Sequence, residues 1–486
     1  MSVPVKGTEK ENGGSIRIGR KAIVLSYTRY ILTTFSNIII LPVILTHISQ
    51  EEYGLWSIFL SIDAGIVLIE VGLGSVITRY VTYAYCGADD IPLEGLPVIR
   101  EDGKSNPQLL FNVVYVARAI YRKIAIISAG LFLAATAYVV YLALQLDSLE
   151  NALLGWFIFC VGSVFRILFT YYSSFIKGIG KIKEVERIQI FLTVLYMVTR
   201  MSFTAMGWGL VGLGVANAID VILGRFLIYF SLKGYIHINQ DAVKTAKIRT
   251  REGKNTTIKD VIWRNSRQMG IVTITDYITG QGKSLLCSVF LPLTIMGQFS
   301  LTNQIVSAVA SMSMIPFNTF RIQLGDAIVK QDREKTHEIL TFILMMFLGI
   351  MTAGSIVTLM FGGRSISLIK SNTSLLENRY VFLLLLYTFI LQLNRVCTGY
   401  IALKNKQIFI RSYVVASAGG IIIAYLSYLV TRADGLACYI YSILGAQLVY
   451  NAWKWPLYVC RDTGIRVRDI PVKGIKYLIK VIKGTN

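Results

Sequence analysis

Residues 41–81 read LPVILTHISQEEYGLWSIFLSIDAGIVLIEVGLGSVITRYV. An apolar run ends at Thr46, a polar turn carries His47, Ser49, Gln50, Glu51 and Glu52, and a second apolar run covers 55–78. At 1.5 Å per residue such a run is long enough to cross a hydrocarbon core of about 30 Å. The pattern recurs along the chain. Apolar blocks fall at 22–46, 55–78, 124–146, 153–176, 188–206 and 210–232, and again at 268–291, 296–320, 339–361, 380–403, 412–430 and 436–459. They hold 277 of the 486 residues. Hydrophobic residues make up 54% and charged residues 16%, where a soluble domain carries about 25% charged. With mean hydropathy at +0.57, several soluble domains are excluded. The reading is an all-α polytopic membrane protein with twelve transmembrane helices. The first block follows a polar tail with Arg17, Arg20 and Lys21 and exceeds a cleaved leader's apolar core, so it is expected to be retained.

Basic residues fix the expected orientation. With both termini inside, the cytoplasmic segments hold 38 Lys and Arg, the outer loops 4, and the blocks themselves 7. This asymmetry is what retention of positive loops produces, and it accounts for the formal charge of +21 without nucleic acid. The cysteines (Cys86, Cys160, Cys287, Cys397, Cys438, Cys460) form no CxxC pair, and His47, His237 and His337 are scattered. No disulfide framework, metal site or cofactor motif is legible. The Gly-rich 209–217, GLVGLGVAN, imitates a phosphate loop, but no strand precedes it, so it reads as close helix packing.

The outer connections are short and the cytoplasmic ones long. Residues 80–123 contain an acidic, Pro-containing stretch (Asp89, Asp90, Pro92, Glu94, Pro97) and then an expected surface helix, PQLLFNVVYVARAIYRK. Residues 233–267 form a basic linker with nine Lys and Arg, dividing a six-block half at 1–232 from another at 268–459. In the tail, 460–486, Ile475, Leu478, Ile479 and Ile482 share one helical face, with Lys473, Lys476, Lys480 and Lys483 interspersed. That is a basic amphipathic helix suited to an anionic leaflet, most simply an anchor.

A shift of 243 residues lays Gly54 of EEYGLW on Gly297 of TIMGQF and brings Arg79 within one place of Arg321. Six is even, so such halves insert in the same sense, related by an axis along the membrane normal; repeats of this kind mark transporters with a site between the halves. The opening stretch also resembles a known family. Pro42, Ser49, Glu52, Tyr53, Gly54 and Trp56, then Glu70, Gly72, Leu73, Gly74 and Arg79, are similar to the first turn and second span of bacterial Wzx-type O-antigen and polysaccharide flippases. Glu70 stands where that family more usually has Asp. The family belongs to the multidrug/oligosaccharidyl-lipid/polysaccharide exporter superfamily. The resemblance implies two six-helix lobes related by pseudo-twofold symmetry in a V (MATE-like), in the bacterial inner membrane. It implies transport of a polyprenyl-pyrophosphate-linked oligosaccharide from the inner to the outer leaflet, with protons or sodium as candidate coupling ions and a polysaccharide polymerase and chain-length proteins as candidate partners.

Ionisable side chains within a span need water, a partner or a task. The basic ones are Arg29, Arg166, Arg200, Arg225, Lys283, Arg395 and Lys454; the acidic ones are Asp63, Glu70, Asp220 and Asp276. Several sit on polar helical stripes, such as Thr193, Tyr196 and Thr204 beside Arg200, and Thr388, Gln392 and Thr398 beside Arg395. Arg166, Arg200 and Lys283 are deepest and are expected to bind a pyrophosphate in a hydrated cavity, with Arg29 near the entrance and Arg395 contributing. Arg29 and Glu70 lie at similar depth and are expected to pair. Arg225 is expected to snorkel to the surface, Lys454 to anchor beside Trp453 and Trp455, and Asp63 and Asp276 to be candidates for ion coupling.

Three other functions compete. A cation-coupled multidrug antiporter of the same superfamily calls for an acidic or aromatic cavity, and the spans carry an excess of three cations. A membrane polymerase, ligase or glycosyltransferase calls for catalytic residues in a large loop, and the outer loops are short with no paired carboxylates. A passive scaffold leaves the buried charge without use. The transport reading, with no enzymatic step, is favoured. Cysteines placed at Asn151 and Ser371 should react with an impermeant thiol reagent from outside, and one at Thr256 should not; reversed labelling would invert the topology.

Overall fold

Ser49 and Glu52 start the helix on which both halves meet. In the computed structural model of the chain, the Ser49 hydroxyl accepts from the Glu52 amide at 3.1 Å, and the Glu52 carboxylate accepts from the Ser49 amide at 3.1 Å. This capping box satisfies two donors at the start of α2 (Gln50–Val67). The structure describes residues 20–70, 72–92, 97–100, 104–252, 256–267, 277, 282–404, 408–431, 434–466 and 468–483.

The first half contains α1 (Arg20–His47), α2, α3 (Leu73–Tyr85), α4 (Pro107–Ala143), α5 (Leu149–Phe169), α6 (Tyr171–Gly178), α7 (Ile182–Ala205) and α8 (Gly209–Ile238). The linker folds as α9 (Gln240–Arg251) and α10 (Thr256–Arg267). The second half contains α11 (Gly282–Ser288), α12 (Leu293–Ser313), α13 (Ile315–Val329), α14 (Arg333–Leu368), α15 (Asn378–Leu403), α16 (Ile410–Thr431), α17 (Gly435–Val449) and α18 (Asn451–Thr463), followed by α19 (Asp469–Lys483). Among the described residues, eight segments are long and apolar enough to span a membrane. The protein is a multi-pass membrane protein. The expected seventh span lies mostly outside the described residues.

Several spans are not the single rods that hydropathy suggests. The second breaks after Glu70, because Gly72 takes a left-handed conformation at φ 68° before α3, a region that costs an L side chain about 1–2 kcal/mol. The fourth bends between α5 and α6, the eighth between α12 and α13 ahead of Pro316, and the twelfth at Tyr450 between α17 and α18. Broken helices at membrane depth are tolerated where backbone faces protein or a cavity. The expected surface helix before the third span is instead continuous with it: α4 has 37 residues, about 55 Å at 1.5 Å each. Its extension receives the linker. Ala246, Val261 and Ile262 are buried, and the Asn265 amide donates to the Tyr80 hydroxyl at 2.6 Å.

Among the described residues the halves join along α2, from the end that carries the short turns down to Ser61, whose carbonyl accepts from the Tyr277 hydroxyl at 3.0 Å. One apolar core runs through the first half and continues into Leu293, Met296 and Phe299 of α12, Tyr380 and Leu384 of α15, and Tyr439 of α17. A second, separate core holds the opposite end of the second half, around Phe317, Leu324, Phe347, Tyr400 and Trp455. The short turns lie at the Gln50 end of α2. There the Gln50 amide donates to the Thr294 carbonyl at 2.7 Å, and the Asn372 backbone and side-chain amides donate to the carbonyls of Leu45 (2.7 Å), Thr46 (3.2 Å) and Ile48 (3.4 Å) that end α1.

The seam between α2 and α12 pairs repeat equivalents. Ser300 Oγ lies 2.6 Å from Ser57 Oγ, 243 residues apart, and Gly54 faces Gly297 at the same offset. A methyl on Gly54 would stand 2.7 Å from the Leu293 carbonyl, and one on Gly297 2.2 Å from the Gln50 carbonyl. Positions related by a twofold axis touch each other only where they lie beside it, so the axis passes through this seam. The account predicts that Gly54→Ala or Gly297→Ala will pry the helices apart; overpacking costs about 1–3 kcal/mol, enough to raise opening roughly tenfold. A cysteine at Ser57 should then react faster with a small thiol reagent, and unchanged reactivity would show the seam to be loosely packed.

Candidate functional site

α2 distributes charge along its length. Near its start the Tyr53 hydroxyl donates to the Gln304 side-chain carbonyl of α12. One turn on, Trp56 is buried and Arg200 of α7 packs over it, guanidinium to ring centroid 5.9 Å, with Tyr196 on the same α7 stripe at 5.1 Å. Further along, Asp63 accepts both 2.7 and 2.6 Å bonds from one terminal nitrogen of Arg166 on α5. Near the break, Glu70 accepts from the buried Tyr121 hydroxyl at 2.7 Å.

Arg200 differs from the other arginines. It is 8% exposed, makes no ion pair among the described residues, and its Nε–H has no acceptor. The Trp56 Nε1–H and the Thr204 hydroxyl, one turn along α7, are also buried without partners among the described residues. An aromatic face returns about 2 kcal/mol or somewhat more to a desolvated cation, while removing an ion from water costs several. An anionic acceptor would offset the remainder. Lys283 repeats the arrangement in the second half: it is 6% exposed, with its ammonium 5.0 Å from the Tyr387 ring. Its helix α11 packs on α2, while the ammonium itself faces Tyr387 of α15.

The remaining charges are committed differently from the sequence expectation. Arg29 does not pair with Glu70. Its Nε donates to Glu186 of α7 at 2.6 Å, because α1 packs along α7 and turns Arg29 to that side. Glu186, buried at 7%, was missed because it precedes the apolar block at 188–206; α7 starts six residues earlier, at Ile182. A Glu two residues before a span, one helical turn from further apolar residues, was the available signal. Arg225 is no surface snorkeler either. It donates to the Ser173 hydroxyl at 2.6 Å and the Thr170 hydroxyl at 3.4 Å, bridging α8 to the bend between α5 and α6. Arg166 is held by Asp63 rather than presented alone. Asp220 is half-buried with no hydrogen bond among the described residues, Arg395 is half-buried on α15, and Asp276 lies outside the described residues. Lys454 stacks near Tyr450 at 5.8 Å. No cluster of metal-ligating side chains occurs among the described residues.

An inward-facing multidrug-resistance MATE family transporter of the MOP superfamily superposes with TM-score 0.62 over 92% of this chain and 98% of that one, at 12% identity. The MATE multidrug transporter DinF-BH, in a ligand complex, gives 0.53 over 94% and 98% at 14% identity. The lipid II flippase MurJ, in an inward closed conformation, gives 0.52 over 96% and 92% at 12% identity. The fold is MATE-like. No family model matches the sequence, and no curated protein matches it.

The Asp63–Arg166 pair is assigned a structural task. Asp63→Asn should lower the thermal stability of the detergent-solubilised protein, since a charge-assisted bond is worth about 1.5–3 kcal/mol. Adding Arg166→Gln should recover much of the loss. A melting temperature unchanged by Asp63→Asn would contradict the assignment.

Proposed function

We propose that the protein is a flippase that moves a lipid-linked oligosaccharide with a polyprenyl-pyrophosphate head group across the bacterial inner membrane, for surface polysaccharide synthesis. The observation that carries the reading is the set of unsatisfied donors around Arg200: its Nε–H and the Trp56 Nε1–H of α2 are buried without acceptors among the described residues. A phosphate oxygen supplies what they lack, and Arg offers a planar fork to it. Lys283, buried against Tyr387 in the second half, adds a point charge. Spreading the attraction over two cations lets the anion enter and leave, where one tight site would trap it.

The end with the short turns is assigned to the outside, following the 38-to-4 distribution of basic residues, with both termini cytoplasmic and the lobes at 1–232 and 268–459. The opposite end then faces the leaflet where the lipid-linked sugar is made. Arg29, Arg166 and Arg395 take supporting places, the first two holding α1 to α7 and α2 to α5. Membrane lipids and the lipid-linked sugar are the direct partners; a polymerase and chain-length proteins would receive the product.

A second reading, a cation-coupled multidrug antiporter, is supported by the names of two of the structural neighbours and by Asp220, a carboxylate without a cation partner among the described residues. Asp220 equally suits a coupling proton or sodium ion in a flippase. The readings separate experimentally. Arg200→Gln and Lys283→Gln should each reduce surface polysaccharide in a deletion strain by roughly tenfold or more, the loss of one charge-assisted bond, at unchanged membrane abundance. Arg200→Lys should restore part of it. Wild-type export by both Gln variants, or drug resistance lost in their place, would favour the antiporter.

A further inference from the structure

The last helix, α19, has more faces than its protein contacts use. At about 100° per residue, Ile470, Gly474 and Tyr477 share one sector, and it is docked. Ile470 and Tyr477 are buried, a methyl on Gly474 would stand 2.9 Å from Met345 Cβ and 3.2 Å from the Thr341 carbonyl, and the Tyr477 ring lies 5.3 Å from Phe342. Two sectors remain. Val472, Ile475 and Ile479 project together at 57%, 50% and 46% exposure, and exposed Lys473 and Lys476 occupy the sector beside them.

Depth and charge say what covers these sectors. Thr341, Phe342 and Met345 belong to the first turns of the expected ninth span, which begins at Ile339. At 1.5 Å per residue they lie within about 10 Å of its start. A helix lying against them is held at the boundary between head groups and acyl chains, the depth at which interfacial helices bury their apolar face. Arg466 and Arg468, both flanking its start, are exposed, while Asp469 accepts from the Arg466 amide at 3.4 Å and Asp462 is engaged by Lys404 and Tyr400. The open surface is therefore cationic. A second copy of the chain would bring Lys473 and Lys476 against their own equivalents, which like charges oppose.

We propose that α19 binds the anionic lipid surface of the leaflet at the end opposite the short turns, inserting Val472, Ile475 and Ile479 and placing Lys473 and Lys476 among the head groups. Its docked face belongs to the core that also holds Phe317 and Leu324 of α13, Phe347 of α14, Tyr400 of α15 and Trp455 of α18. The leaflet thereby grips the half-core that is separate from the rest of the molecule.

The test uses the full-length protein in vesicles of zwitterionic lipid alone and with added phosphatidylglycerol, read by amide hydrogen exchange over 469–483. Exchange of α19 should slow by roughly an order of magnitude or more as the anionic fraction rises, the combined attraction of two lysines near a charged surface. Exchange in α14 should not change. Lys473→Gln with Lys476→Gln should abolish the lipid dependence, and Ile475→Ser with Ile479→Ser should raise exchange in both membranes. Equal exchange in the two wild-type membranes would overturn the proposal. So would protection that follows the protein density in the vesicle rather than lipid charge, the sign of a second copy on this face.

Discussion

The structure depends on the close approach of α2 and α12 at Gly54 and Gly297. Helices in a membrane gain little from burying apolar surface against each other, since lipid is equally apolar, so contact relies on small residues and interhelical hydrogen bonds. Both are present at this seam: two glycines with no room for a methyl, the Ser57–Ser300 contact at 2.6 Å, and the Tyr53–Gln304 bond. The seam joins the halves, and the core around Phe317, Phe347 and Trp455 of the second half lies apart from it. It also fixes α2 as the helix from which the charge arrangement is built.

That arrangement gives physical meaning to the sequence stretch around EEYGLW. Ser49 and Glu52 cap α2, Tyr53 reaches the other half, Gly54 permits the approach, and Trp56 floors Arg200. Later, Glu70 meets Tyr121 and Gly72 supplies the left-handed break. These residues of the stretch each have a contact or a backbone angle that suits their type. Resemblance to a family and geometry within the chain point at the same residues for different reasons.

The membrane class and the internal repeat were legible in the sequence because both follow from long-range regularities: the apolar blocks, and the 243-residue offset that turned out to bring Ser57 onto Ser300. The breaks at Gly72 and Tyr450 were not, since mean hydropathy does not register a single residue's backbone angle. Charge partners were the hardest part. Arg29 and Glu70 share a depth, but depth says nothing about the rotation of each helix, and α1 turns Arg29 toward Glu186 instead. Arg225 has a length that allows snorkelling, yet two hydroxyls on a neighbouring bend hold it inside. Arg200 and Lys283 were singled out for depth; what distinguishes them in the structure is aromatic rather than acidic surroundings.

A transporter for an anionic head group must keep cations that no protein carboxylate has neutralised. Neutralised pairs such as Asp63–Arg166 and Arg29–Glu186 hold helices together and present little net charge, while Arg200 and Lys283 lie against aromatic rings with no carboxylate partner among the described residues. The central claim is that these two cations recognise pyrophosphate. Equilibrium binding of a polyprenyl-pyrophosphate saccharide and of its monophosphate counterpart to the purified protein tests it most directly. The account predicts tighter binding of the pyrophosphate, with the preference lost in the Arg200→Gln, Lys283→Gln double variant. Equal affinity for the two lipids in the wild type, or a preference that survives the double variant, would contradict it.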